Sequence, residues 1–523
     1  LISNNREVPR MGHALDVLKN HALSDTHNAE GYPCFRRDWK EEYLQMLLTN
    51  TISQIFYASE DMMRVEALEM HRFAADEDPE FMARALVYAR NEGFMRLQPI
   101  IGLAVLSLVS PRLFKLIFDK VILIIPDLAE FTLALESLGR GQGGRAVKSA
   151  AAKKLSSIDE YAAIKYAGDG RGYSLRDLMR VYHPKPRDEK SADLLKYISG
   201  KIDWDQTAPD ALPQVRAIEA LKKLNSQDFI DKSPEAAAII REHRLPHNVV
   251  TGILGKIDRT VWAALMEDMP LFALVRHLSA LESNGVIASA EPDERIIKRL
   301  TDGPAIHRAK ILPFRFSQAW QQVETAWLRK ALEEAVDLSV DCLPDIKGST
   351  AVLLDVSGSM DGRFLMAGGV LALSAYRKAG NDGNFFLFDT DVEHFEIREG
   401  ESIISAASRI ECGGGTDTGV ALRHMTDENI FADNIVIVTD EQQNTGSPFY
   451  RELRRYRKKV NEDARAFVVD VAPYGGAMVP TEDDKTFYCF GWSDNIISFI
   501  AQNTEGYKDL AAEVSAIDLS WEQ

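Results

Sequence analysis

The sequence predicts an α + α/β chain. An array of helical hairpins, stacked as a solenoid or ring but without a clean repeat period, occupies residues 1–344, and a doubly wound parallel sheet occupies residues 345–523. Three observations carry this. Apolar residues recur with helical spacing through the first part, short apolar strands alternate with helices in the second, and the charge divides at the same place.

In the first part, residues 61–75, 79–91, 209–224, 270–281 and 316–338 place apolar side chains at i, i+3, i+4 and i+7. Pro79, Pro209, Pro234 and Pro292 are expected near first turns, with Asp78, Ser233 or an acidic residue close by as start signals. Many helices of ordinary length joined by brief turns read as stacked helical hairpins.

At residues 346–348 the pattern changes. Apolar runs at 349–354, 385–388, 435–438, 466–471 and 486–490 read as strands, with helices at 364–379, 418–425, 448–460 and 495–502 between them. Strands that alternate with helices predict an open parallel sheet covered on both faces, with ligands at the carboxyl ends of the strands.

Composition narrows the class further. The net charge is −17, of which −14 falls from Asp345 onward and −3 before it. A phosphate-bearing partner is therefore expected on the helical part rather than on the acidic one. Cys34, Cys342, Cys412 and Cys489 lie far apart with no C-x-x-C pair, which excludes a disulfide scaffold and a cysteine-rich zinc module. The longest apolar run, residues 97–109, is too short for a bilayer. No secretory leader is read, so a cytoplasmic protein without a membrane partner is expected.

Strand 349–354 runs into Asp355-Val-Ser357-Gly-Ser359. Gly413-Gly-Gly-Thr416-Asp417 opens a helix, and strand 435–439 ends at Asp440. Alone, the first piece is compatible with an ordinary Ser/Gly turn. With three pieces in order, each at a strand end, an all-oxygen set with few charges results, which suits Mg²⁺. A serine nucleophile does not fit, because the elbow needs G-x-S-x-G and position 355 is Asp. D-x-S-x-S, a later G-G-T and a strand-terminal T-D resemble the metal-ion-dependent adhesion site of von Willebrand factor A domains. That resemblance implies Ser357, Ser359 and Thr416 as ligands, Asp355 and Asp440 acting largely through water, and a position left for a partner's acidic group. Glu441 stands where many family members have Gly, and is expected to alter access for that partner.

A second cluster is basic. Residues 139–157 hold Arg140, Arg145, Lys148, Lys153 and Lys154 and no acid, and on a helix Arg145, Lys148 and Lys153 share a side from which Lys154 turns away. Backbone phosphates would suit such a stripe, although a solvated helix face has the same composition. Gly139-Arg-Gly-Gln-Gly-Gly144 matches G-x-G-x-x-G formally, but it follows a helical pattern and reads as a helix–helix connection, not a dinucleotide loop.

The run Lys165-Tyr166…Gly172-Tyr-Ser-Leu-Arg-Asp-Leu-Met-Arg-Val-Tyr-His183-Pro-Lys-Pro186 is similar to the Ro (TROVE-module) family of RNA-binding proteins. Val438-Thr-Asp-Glu-Gln442 is similar to its bacterial members. The resemblance implies a helical-repeat (HEAT-like) ring closed by or joined to a von Willebrand A domain, a Y-type small RNA on the outer surface, and single-stranded ends of misfolded RNA in a central hole. Lys165 and His183 match outer-surface positions. A third falls where this chain has Asp169, and is carried to nearby Arg171. Trp39, Trp204, Trp262, Trp320 and Trp327 could stack on bases but read better as packing residues.

Three functional classes follow. The leading one is a non-enzymatic RNA-binding scaffold of a Ro ribonucleoprotein, presenting RNA ends to a 3′–5′ exoribonuclease such as polynucleotide phosphorylase, as the family implies. The alternative is a Mg²⁺-dependent protein–protein adaptor that captures an acidic ligand at the metal site. A metal-dependent hydrolase is weakest, since no His or Glu is evidently paired with the oxygen cluster as a base.

Overall fold

A computed structural model describes residues 24, 26–50, 59–167, 172–201, 210–224, 229–255, 257–288, 290–380, 384–480, 483–493, 495–504 and 509–519. Helices dominate up to Asp341, and their starts follow from local chemistry. Asp78 caps the helix Pro79–Asn91, its carboxylate accepting from the Phe81 amide at 2.9 Å, with proline in the first turn where no donor is lost. Ser110 and Pro111 start Pro111–Val121 in the same way. Successive helices pack on one another: Pro79–Asn91 against Leu97–Val109 and Pro111–Val121, Phe229–His243 against Arg259–Asp268, Pro313–Gln322 against Ala326–Asp341. On the preceding helix, Glu60–Glu77, His71 is fully buried between Tyr43 Oη (3.1 Å) and Gln98 Oε1 (3.0 Å). Burial lowers its pKa to about 4, so the ring is neutral.

Two helical expectations are corrected. The 316–338 pattern is broken into Pro313–Gln322 and Ala326–Asp341, because the Glu282 carboxylate accepts from the Glu324 (3.0 Å) and Thr325 (2.6 Å) amides and holds the chain in a turn. Pro234 lies inside Phe229–His243 rather than in its first turn, at the cost of one backbone hydrogen bond. Pro209 lies outside the described residues.

The second part is a six-stranded sheet of β3 (Thr350–Asp355), β4 (Asn384–Phe388), β5 (Val392–His394), β6 (Asn434–Thr439), β7 (Arg465–Asp470) and β8 (Thr486–Phe490). Its order is β5-β4-β3-β6-β7-β8, parallel except for β5, an antiparallel edge strand too short and polar to be read from the sequence. Every residue of β3 and β6 is buried, as expected of central strands covered on both faces. Arg363–Lys378 and Asn495–Asn503 pack together, as do Val420–Asp427 and Phe449–Lys459.

The sheet domain meets both ends of the helical array. Pro313–Gln322 and Ala326–Asp341 pack on Arg363–Lys378 and Ile403–Ala407, while Trp39–Thr49 lies against β8 and Leu510–Ser515. At that second contact Gly491 has φ +95°, and a Cβ there would stand 2.8 Å from the Leu48 carbonyl oxygen, so glycine alone allows the approach. The leading residues also cross over. Strands Thr26–His27 (β1) and Pro33–Cys34 (β2) form a small hairpin, and Phe35 makes a bridge with Ala477. Among the described residues no helix is long and apolar enough to cross a membrane.

Candidate metal centre and nucleic-acid interface

Parallel pairing of β3 with β6 sets Leu354 across from Val438, so Asp355 and Asp440 leave the sheet at the same edge. Asp355 is fixed from both sides: Thr439 Oγ1 donates to Oδ2 at 2.6 Å and the Ser357 amide donates to Oδ1 at 2.9 Å. A short 3₁₀ turn, Gly358–Met360, then brings the Ser357 and Ser359 hydroxyls to 3.4 Å of each other. The third piece is drawn in by backbone bonds, Gly413 N to Val356 O (2.9 Å) and Gly358 N to Gly414 O (3.2 Å). Gly414 has φ +75°, and a Cβ there would collide with the Asp389 carboxylate. Thr416 is positioned by Asn444, whose Oδ1 accepts from its amide at 2.9 Å. The structure therefore brings all five residues read from the sequence to one edge of the sheet, and all five are buried.

The electrostatics of this cluster are unbalanced. Asp440 is 1% exposed, its Oδ1 accepts from the Gln442 amide at 3.1 Å, and its Oδ2 has no hydrogen-bond partner. Burial, then the neighbouring Asp355 charge, raises its pKa to about 7. Burial also raises Asp355, against the hydrogen bonds it accepts from Ser357 and Thr439. Two buried carboxylates and three hydroxyls with one orphan oxygen are what a hard divalent cation would complete, and the residues fit Mg²⁺. Among the described residues there is no cluster of three or more His, Cys, Asp or Glu that could hold a metal ion.

Glu441 is turned away from the outside. Its backbone is left-handed (φ +59°), and its carboxylate pairs with the Arg37 guanidinium and accepts from the Met478 amide at 2.8 Å. Arg37 also pairs with Asp470 at 2.9 Å and lies over the Tyr488 and Phe490 rings, 4.6 and 5.2 Å from their centroids. Gln45 donates to Asp470 (2.5 Å) and to the Tyr474 carbonyl (2.6 Å). Asn28 Nδ2 reaches the Gln443 carbonyl at 2.7 Å, and Tyr32 Oη reaches Gly446 O at 2.6 Å. The loop after Asp440 is thus held by the leading part of the chain. The expected effect of Glu441 on partner access is corrected to an internal, structural role.

On the helical side, Arg145–Ser156 buries Val147, Ala151 and Leu155 and exposes Arg145, Lys148 and Lys153. Those three form no ion pair among the described residues, whereas Lys154, on the other side, lies 3.7 Å from Asp119. Arg140 is exposed in the 139–144 turn, where Gly139, Gly141 and Gly143 have positive φ, a helix–helix connection as expected. Leu175–Tyr182 packs beside this helix and starts at a capping box of Ser174 and Asp177. It ends at His183, left-handed (φ 49°) and exposed, while buried Tyr182 Oη meets Thr132 Oγ1 at 2.8 Å.

Lys165 has other neighbours. Its helix, Glu160–Lys165, packs on Glu189–Ser199, Pro213–Leu224 and His247–Leu254. Its Nζ lies 5.6 and 5.5 Å from the Tyr161 and Tyr166 rings. Arg171 lies outside the described residues, as does Trp204. The other tryptophans are packed or tied: Trp39 lies edge-on to Phe73 and Phe81, Trp262 is buried, Trp320 Nε1 donates to Glu333 (2.9 Å) and Trp327 Nε1 to Ala288 O (3.0 Å).

Comparison with known proteins agrees with this architecture. Residues 255–339 match the family model of the TROVE domain. A Caenorhabditis elegans protein described as "RNA-binding protein RO60" is 24% identical over 384 residues, covering 60% of this chain and 58% of that protein. The chain therefore aligns with less than two thirds of that relative's length. The crystal structure of the Deinococcus radiodurans Ro (RSR) protein superposes with a TM-score of 0.65 at 20% identity, over 89% of this chain and all of that one. Sequence and fold together make this chain similar to the Ro-type TROVE proteins.

Proposed function

We propose that the chain is an RNA-binding scaffold of a Ro ribonucleoprotein, acting without chemistry of its own. The observation that carries this is the row of Arg145, Lys148 and Lys153, exposed and unmatched by acid among the described residues of a chain with net charge −17. Cations left uncompensated in an acidic protein attract phosphate and release counterions on binding. In this reading Arg140, Arg145, Lys148, Lys153, Lys165, Arg171 and His183 hold a Y-type small RNA outside the ring. The left-handed, exposed end at His183 presents its imidazole to the same ligand. Single-stranded ends of misfolded RNA enter the central hole and are passed to a 3′–5′ exoribonuclease such as polynucleotide phosphorylase. The setting is the cytoplasm.

Asp355, Ser357, Ser359, Thr416 and Asp440 would hold Mg²⁺, which supplies an open coordination position and positive charge for a partner's acidic group. The orphan Asp440 oxygen favours this, and with it a second reading, a Mg²⁺-dependent protein adaptor. Gel shifts with a structured RNA hairpin and a single-stranded oligomer, each with and without Mg²⁺, separate the two. Binding of RNA regardless of Mg²⁺ supports the scaffold; no binding of either RNA removes it.

A further inference from the structure

The sheet domain is acidic on average, yet one of its helices is not. Phe449–Lys459 carries Arg451, Arg454, Arg455, Arg457, Lys458 and Lys459 against a single acid, Glu452. Its inner face is fixed by buried Phe449, Glu452, Leu453 and Tyr456. Two of the arginines are used internally: Arg455 pairs with Asp427 and Glu452, and Arg457 Nη1 reaches Asp483 at 2.5 Å. Arg451, Arg454, Lys458 and Lys459 are exposed, and among the described residues Arg451, Lys458 and Lys459 enter no ion pair. At about 100° per residue the four exposed cations fall within an arc of about 140°, one continuous outer face.

We propose that this face is a second RNA-phosphate contact, on the domain whose net charge argues against one. The proposal rests on the RNA-binding reading and extends it to the sheet domain. Stabilisation of the helix end does not account for the row. Cations in a last turn offset the helix dipole, which explains Lys458 and Lys459, but Arg451 stands in the first turn, where a positive charge is unfavourable. The chemistry of the face selects the ligand. No large apolar side chain of this helix is exposed, and its one aromatic near the surface, Tyr450, is packed edge-on against Phe35 with ring centroids 4.9 Å apart. Protein interfaces draw their energy from buried aromatic and aliphatic anchors, which this face lacks; phosphate binding needs only exposed cations. From Arg451 to Lys458 the helix rises about 10 Å, the length of about three phosphates along one strand of a duplex.

The test uses the full chain with Arg451→Gln, Lys458→Gln and Lys459→Gln combined, whose side chains make no hydrogen bond or ion pair among the described residues. Binding to a single-stranded uridine oligomer and to an RNA hairpin is titrated from 50 to 200 mM salt. Loss of three contacts should lower the slope of log affinity against log salt by about two units for the single strand and nearer three for the duplex. An unchanged slope for both RNAs, with the unaltered chain binding them, overturns the proposal and leaves the RNA reading standing. Loss of binding to polyglutamate with RNA binding intact also overturns it, assigning the face to an acidic protein segment. Failure of the unaltered chain to bind either RNA sinks the RNA-binding reading itself, and the proposal with it. A melting curve of the triple variant matching the parent's excludes misfolding as the source of a changed slope.

Discussion

Replacing Arg37 by Met tests the account of how the two parts of the chain are joined. The guanidinium side chain is 1% exposed and lies 2.9 Å from Asp470, with Glu441 as its second partner. At that separation an effective dielectric of about 20 gives a gross attraction of about 6 kcal/mol. Much of this is offset by the desolvation of three charges. What deletion leaves, however, is two buried carboxylates without a cation, and breaking such a pair costs about 3–5 kcal/mol. Lys40, whose side chain is 30% exposed and 3.3 Å from Asp78, provides the control, since a surface pair contributes about 0–1 kcal/mol. Urea unfolding of Arg37→Met, Lys40→Met and the parent should rank them in that order. The triple variant Arg37→Met, Glu441→Gln, Asp470→Asn should recover more than half of the loss, because no charge is then stranded. If Arg37→Met costs no more than Lys40→Met, the network is not a junction. If the triple variant is as unstable as the single one, the loss comes from packing on Tyr488 and Phe490 and the electrostatic reasoning is wrong.

Asp355→Ala should abolish Mg²⁺ binding measured by calorimetry while RNA affinity stays within about twofold; heat of binding equal to the parent's would remove the five-oxygen assignment. Lys148, Lys153 and Lys165 changed together to Glu should lower the salt slope for a structured RNA by more than about three units, since repulsion replaces attraction, and should affect single-stranded RNA far less. Equal losses for both RNAs would show that there is no separate outer site. His71, lowered to about 4 in the folded chain against about 6.5 unfolded, contributes stability above pH 6.5 that is lost as pH falls toward 4. The shift of about 2.5 units corresponds to about 3 kcal/mol. Unfolding measured from pH 7 to 4.5 should show a loss in this window that His71→Gln reduces.

Local pattern determined how much could be read in advance. Strand 486–490 and the helix Pro79–Asn91 match their expected bounds because hydrophobic period, caps and proline act within a few residues. Four of the five oxygen residues were legible for a related reason: Asp355, Ser357, Ser359 and Asp440 lie at or just after the ends of β3 and β6, which parallel pairing gathers. Thr416 instead lies in a loop between two helices, not at the strand end expected, and is brought in by the backbone bonds of Gly413 and Gly414. Edge strand β5 was missed because three residues, Val-Glu-His, carry no period. The break at residues 323–325 was missed because it depends on a carboxylate at position 282.

Glu441 shows most clearly where sequence reading stops. One residue from Asp440, it looked like part of the metal site, and no local signal separates the two carboxylates. They are told apart by a guanidinium 404 positions away, which pairs with the Glu441 carboxylate, a residue whose backbone has φ +59°. Asp440 Oδ2 has no hydrogen-bond partner, which leaves it available as a candidate ligand oxygen. The difference between a structural carboxylate and a candidate ligand here is a matter of which one found a partner, and that partner lies in the leading segment of the helical part. The same segment bonds Gln443 and Gly446 through Asn28 and Tyr32. The position of the loop beside the candidate metal site therefore depends on how residues 26–45 are seated, so the geometry of the oxygen cluster is a property of both parts of the chain and not of the sheet domain alone.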